Sequence, residues 1–230
     1  MDQHHLSKTR YTKGLQCELQ LWLDCNKPQE KSPYDQATLY IFERGSEMGK
    51  AAWGLFPEGV LIAGGDGYLD RDGAVRETLS AIASGATAIY EAAFLYNNVY
   101  IFADLFVRNE AGNWDLYEVK STGSVHEQHK PDIGVQYWVM SNLGYRVDHA
   151  FLTYIKGSQG MCFTDPWHHF GFEDLTSTCG SLYNEIARDV TRMNGMVRSS
   201  EPDIEMGTHC RKPYDCMFQE YCQRKLAARI

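Results

Sequence analysis

A strand-like run, Ile101-Phe102-Ala103-Asp104-Leu105, is followed fourteen residues after its aspartate by Glu118-Val119-Lys120. Side chains alternate faces along a strand, so Glu118 and Lys120 point one way and Val119 the other, and pairing the two strands brings Asp104 beside Glu118. Adjacent carboxylates repel unless a cation or proton lies between them, and their hard oxygens suit magnesium or manganese. A cation held there polarises a phosphate and acidifies water, while Lys120 orients that water or stabilises negative charge. That is the chemistry of phosphodiester hydrolysis. Taken bare, the D-x13-E-x-K spacing is also that of a solvated strand face. The apolar company of Asp104 argues against this, because a carboxylate within Ile-Phe-Ala-Asp-Leu-Phe-Val is costly without a partner.

Two further residues extend the set. Glu91, in Tyr90-Glu91-Ala92-Ala93-Phe94, is another carboxylate in an apolar strand, read equally as a site residue or as half of a structural ion pair. Gln136 lies on the helix after the hairpin, where it either joins the site or sits on the helix surface. His126, Glu127 and His129 follow the hairpin and are expected in a mobile loop near the substrate.

A second constellation is built from sulfur. Cys210, Cys216 and Cys222 are evenly spaced with five residues between neighbours, and three thiolates need a fourth ligand. Cys17 is the candidate, while Cys25, Cys162 and Cys179 read as small buried residues. Four cysteines hold either tetrahedral zinc or an iron-sulfur cluster, and the paired C-x2-C knuckles of zinc ribbons are missing. Either group would staple the two ends of the chain together.

These residues need elements to position them. The spacing predicts a helix over 6–25 with Ser7 and Thr12 as caps, a second from Ala37 to about Leu55, and a short one over Glu77 to Ser84. Ala88 to Phe94, Val99 to Val107 and Trp114 to Val119 are rich in β-formers and predict an antiparallel meander. A helix over Asp132 to Leu143, stopped at Gly144, a strand over Val147 to Ile155 and a helix from Leu175 to about Val197 complete an α/β order with a mixed sheet flanked by helices. The turn at Gly64-Gly65-Asp66-Gly67 lacks the context of a phosphate loop. One domain is expected over 1–230, with an N-terminal helical segment (1–60), a core (61–157) and a C-terminal helical segment (158–230).

The chain has 230 residues, 43% hydrophobic, with a formal charge of -8. That balance disfavours a generally basic nucleic-acid binder, so any DNA path is local, with Lys8, Arg10, Lys13, Arg211, Lys212, Arg224, Lys225 and Arg229 as its cations. No run is apolar and long enough to span a bilayer, and the polar start and odd cysteine count predict a cytoplasmic protein without membrane contact.

The two constellations together resemble the RecB-like nucleases of the PD-(D/E)XK class, including the CRISPR-associated exonuclease with an iron-sulfur cluster and the AddB nuclease domain. In those relatives one cysteine precedes the nuclease core and three follow it. The resemblance is closest to an uncharacterised bacterial RecB-like group, through Phe42-Glu43-Arg44-Gly45-Ser46-Glu47-Met48-Gly49, Leu55-Phe56-Pro57, Tyr117-Glu118-Val119-Lys120-Ser121 and Cys210-Arg211-Lys212-Pro213-Tyr214-Asp215-Cys216.

The resemblance implies a restriction-endonuclease-like core and a magnesium- or manganese-dependent deoxyribonuclease, an exonuclease on single strands or DNA ends. It implies Asp104, Glu118 and the Val119 carbonyl as metal ligands, Lys120 as the catalytic lysine and Gln136 as the motif glutamine. It implies Cys17, Cys210, Cys216 and Cys222 as ligands of a 4Fe-4S cluster, with zinc as the alternative. Two positions depart from the pattern: the helix histidine is replaced by Gly49, so that Glu47 or Glu91 would have to substitute, and the tyrosine after the glutamine is Met140, with Tyr137 nearby. The rival reading is a catalytically silent nucleic-acid-binding or assembly module with a structural cysteine cluster; a redox sensor is a third.

Overall fold

The structure, a computed structural model, describes residues 4–62, 70–156 and 166–228. The glycine turn at 64–67, Cys162 and Arg229 lie outside them.

The meander forms where the β-formers predict it, as β3 (Ala88–Tyr96), β4 (Val99–Arg108) and β5 (Trp114–Val119), followed by a helix, α5 (Lys130–Asn142), and β6 (Val147–Ile155). β3, β4 and β5 pair antiparallel, and β6 lies parallel to β5, as a strand returned by a helical crossover must. A short β2 (Val60–Leu61) flanks β3, and β7 (Phe170–Asp174) flanks β6. With β1 (Leu6–Ser7), which pairs with the start of β4 off this path, the sheet has seven strands, mixed in direction. This is the α/β class with a mixed sheet flanked by helices, in the strand-helix-strand order of a restriction-endonuclease-like core.

The main apolar core lies between one sheet face and the helices α1 (Lys8–Gln16), α4 (Arg71–Ala83), α5 and α7 (Thr176–Met196), and includes Tyr11, Phe94, Phe106, Trp138 and Met193. Each such side chain removed from water contributes about 1.5–3 kcal/mol. The opposite face carries a smaller cluster of Tyr90, Leu105, Tyr117 and Phe170, to which Val119 packs. Val119 therefore points away from its neighbours on β5, as strand alternation requires.

Two helices differ from the sequence reading. The first is interrupted at Cys17, whose extended backbone (φ -162, ψ 119) ends α1 and begins α2 (Glu18–Asn26). Ser7 caps α1 by accepting from the Arg10 amide, whereas the Thr12 hydroxyl bonds within the helix to the Thr9 carbonyl. α4 begins at Arg71, six residues before its predicted start, because Asp70 caps it through the Gly73 amide while Gly73 weakens the apolar pattern of the first turn. The long helix α3 (Gln36–Ala52) and α7 match their expected spans to within three residues at each end, and Gly144, at φ +86, stops α5. After a short α6 (Pro166–His169) and α7, the cysteine segment ends in α8 (Gln219–Ala227). Among the described residues no helix is long and apolar enough to cross a membrane.

Candidate active site and cysteine cavity

Both neighbours of β4 on its β5 side leave it incomplete. β1 covers Val99 and Tyr100, and β5 covers only Leu105 to Arg108. Asp104 sits in the gap between them, and its Oδ2 accepts from the Val119 amide at 2.6 Å. Asp104 and Glu118 thus share the α1/α5 face, as the strand argument required.

Glu118 is the hub. Only 1% exposed, it accepts from Lys120 Nζ at 2.6 Å, from Gln136 Nε2 at 2.7 Å, and from Lys8 Nζ through both oxygens at 2.9 and 3.0 Å. Lys8 Nζ also lies 3.9 Å from Asp104. Lys120 is ion-paired in turn to Asp132, in the first turn of α5, and the Asp132 carbonyl accepts from Gln136 one turn later. Three carboxylates thus surround two ammonium groups.

The electrostatics follow from this arrangement. Burial, reinforced by Glu118, pushes the Asp104 carboxyl up to about 6. Burial would raise Glu118 too, but Lys120 and Lys8 overcome it and hold Glu118 well below the carboxylate range. Both lysines are held protonated, because their carboxylate neighbours outweigh the cost of burying them.

Glu91 stands across from Asp104, between the paired residues Tyr90↔Leu105 and Ala92↔Ala103, and has φ +54. A non-glycine residue held there is uncommon and belongs to the conformations that cluster at functional sites. Gln136 is fully buried, which removes the helix-surface reading, and its Oε1 has no hydrogen-bond partner among the described residues. Asp104, Glu118 and that amide oxygen are hard donors of the kind magnesium and manganese take, with the Lys8 ammonium seated against both carboxylates. Of the two candidate substitutes for the absent histidine, Glu47 is exposed on α3 and Glu91 is the one beside the gap. A side chain at Gly49 would meet nothing within 4 Å, so the position opens into space.

In the histidine segment, expected as a loop, Glu127–His129 form a 3-10 turn. Burial and then Lys120 depress the His129 ring to about 4, so it is neutral at pH 7, while Glu127 is exposed and paired with Lys130. Trp138 packs edge-on to Tyr96 in the core, and Met140, at the position where the resemblance expects a tyrosine, is fully buried on α5.

At the end of α1 opposite Lys8, Cys17 joins Cys210, Cys216 and Cys222 in lining a single cavity with Leu23, Phe218 and Gln20, whose buried Oε1 has no partner among the described residues. Burial raises the thiols of Cys17, Cys216 (to about 11) and Cys222, and proximity to one another adds to the rise. The convergence of four thiols from opposite ends of the chain fits a group that takes soft sulfur ligands. Among the described residues, however, no three His, Cys, Asp or Glu side chains stand where they could hold one metal ion, here or at Glu118. Cys25 and Cys179 are buried elsewhere, as expected.

Sequence reasoning misses two members of the carboxylate site. Lys8 falls by its position among the possible DNA contacts, although Arg10 and Lys13 of that group are held by Asp24. Asp132 reads only as a helix start; its position one turn before Gln136, on the same helical face, was the available signal.

No protein-family model and no curated protein matches the chain. Among solved structures it is similar to LHK-Exo, in a crystal structure with dAMP, over 99% of this chain and 95% of that one, at TM-score 0.45 and 11% identity. It is also similar to SSO0001, over 77% and 82% of the two chains, at TM-score 0.35 and 16% identity. Likenesses this weak leave the fold to rest on its own strand order and register.

Proposed function

We propose that this chain is a divalent-metal-dependent DNA nuclease of the PD-(D/E)XK class, acting as an exonuclease on single strands or DNA ends. The observation that carries the reading is Glu118: a buried carboxylate on a central strand, facing Asp104 and bonded at once to Lys120, Gln136 and Lys8. Burying so many charges at one strand end costs more than apolar packing would, which favours a site kept for chemistry over one kept for stability. Asp104, Glu118 and the Val119 carbonyl would hold magnesium or manganese, which supplies phosphate polarisation and an acidified water. Lys120, anchored by Asp132, orients the attacking water and offsets charge developing on the phosphate. Gln136 fixes the rotamer of Glu118, and Glu91, across from Asp104 on β3, would be a further oxygen donor.

Lys8 holds the position of a cation against both carboxylates, so a divalent ion has to displace it. The cysteine cavity would hold a 4Fe-4S cluster, with zinc as the alternative; visible absorption with iron and sulfide analysis separates the two.

Anaerobically purified wild type and Lys120→Ala, incubated with end-labelled single- and double-stranded DNA in magnesium, manganese or chelator, test the reading. Metal-dependent cleavage lost in the variant is expected. A folded, metal-binding wild type that cuts none of these substrates supports instead the silent binding module, which the Lys8 contacts and the missing histidine favour.

A further inference from the structure

The domain uses α3 only at one end. Of its 17 residues Met48 and Ala52 are the buried ones, and from Gln36 to Glu47 every residue but Thr38 is exposed. Tyr40 and Ile41, each 59% exposed, are the most open large apolar side chains among the described residues, with Phe42 and Leu39 exposed beside them. Phe42 has a neighbour in Tyr34, whose ring it meets edge-on at 4.8 Å. Short helices are marginal in water and take their stability from packing, so bare turns carrying this much apolar surface call for a partner.

The charges on the helix identify that partner. Glu43, Arg44, Glu47 and Lys50 are exposed or nearly so, and among the described residues none has an ion-pair or hydrogen-bond partner for its side chain. Two of each sign cancel, so this face offers no excess of cations to a polyanion such as DNA. Their spacing instead matches its own reverse. Ala37, Tyr40, Arg44, Glu47 and Ala51 recur at steps of three and four and share one side of the helix, as the seam of a coiled coil does. With Arg44 level with Glu47 of an antiparallel copy, two-fold symmetry repeats the pair and Tyr40 falls opposite the small Ala51. Glu43 and Lys50, both on one flank of the seam, then meet across it as opposite charges. A parallel pair would set Arg44 against Arg44 and Glu47 against Glu47, so charge fixes the direction.

We infer that this chain pairs with a second copy of itself through α3, the two helices antiparallel, with Arg44 against Glu47 and Tyr40 against Ala51 at each end of the seam. Ile41 borders the seam on the flank away from Glu43. One helix pair is a small interface, so the dimer is weak and forms with rising concentration. The pairing does not rest on the nuclease reading and survives its failure.

Sedimentation equilibrium over a concentration series, on the full chain purified anaerobically, reads the association. R44E and E47R each set like charges against one another at two symmetric points and should weaken the dimer at least about tenfold. The R44E/E47R double variant exchanges the signs, restores both pairs and should associate as wild type does. Tyr40→Asp should leave a monomer. These side chains are exposed, and melting curves check that each variant keeps its fold. A wild type that stays monomeric throughout the series overturns the inference, as does a dimer indifferent to both single reversals, or a double variant no better than the singles. A monomeric wild type that loses affinity for DNA in R44E would overturn it too, and give the face to nucleic acid.

Discussion

The two constellations are opposites in almost every physical respect. The carboxylate site is hard and charged, set on adjacent central strands whose register is locked by a buried face, and its side chains are bonded to one another at 2.6–3.0 Å. The cysteine cavity is soft and apolar, assembled from a helix junction at Cys17 and irregular segments around Cys210, Cys216 and Cys222. The first is preorganised by the sheet; the second has no sheet to hold it and, on the proposed reading, would be held by the group its thiols bind. The contrast teaches that damage to the first should cost activity with the fold retained, and damage to the second should cost the fold.

The largest expected effect breaks the first half of that contrast or upholds it. Glu118→Gln, which keeps the shape, should reduce cleavage on the order of 10³-fold while the thermal melting curve stays within a few degrees. Near-normal cutting would remove Glu118 from the chemistry. On the other side, Cys17→Ser should lower unfolding free energy by about 4 kcal/mol, the order of loop closure for a span this long. Denaturant titration reads it, and a variant as stable as wild type would mean that the cavity staples nothing.

A smaller effect sharpens the electrostatics. Because the Lys8 ammonium must give way to a divalent ion, Lys8→Met should bind manganese about tenfold more tightly by calorimetry, near 1.4 kcal/mol; equal or weaker binding would show that Lys8 does not compete. The smallest concerns the seam that docks α8. Burial would raise Glu201, but hydrogen bonds from Lys225, Lys27 and Tyr221 depress it to about 2 from its ordinary 4.5. A depressed carboxyl contributes stability above its unfolded value and loses it as pH falls through 4.5 toward 2. Partly exposed, the seam is worth about 1 kcal/mol, and Glu201→Gln should flatten stability across that pH window. An identical acid profile in the variant would place the acid sensitivity elsewhere.

The contrast also explains what was legible in the sequence. β5 and β6 match their predicted bounds because they are rich in β-formers and flanked by turn residues, and a period of two then puts Glu118 and Lys120 on one face. Cys17 and the three late cysteines could be grouped by counting, but the break of the first helix at Cys17 could not: the apolar spacing of Leu15, Leu19 and Trp22 runs through it without interruption. Asp132 carried only the signal of its helical spacing to Gln136, and Lys8 was illegible as a site member because its role depends on β1 pairing with β4. That is tertiary placement, to which no local period responds.

The two residues of β1 have one more consequence. Along its β5 side, the start of β4 would present bare amides and carbonyls were Leu6 and Ser7 not laid against Val99 and Tyr100. Open strand edges recruit other chains. The short strand that aims Lys8 at Glu118 is therefore also a guard against self-association: a chain that lost it would expose an apolar, unpaired edge beside its most densely charged residues.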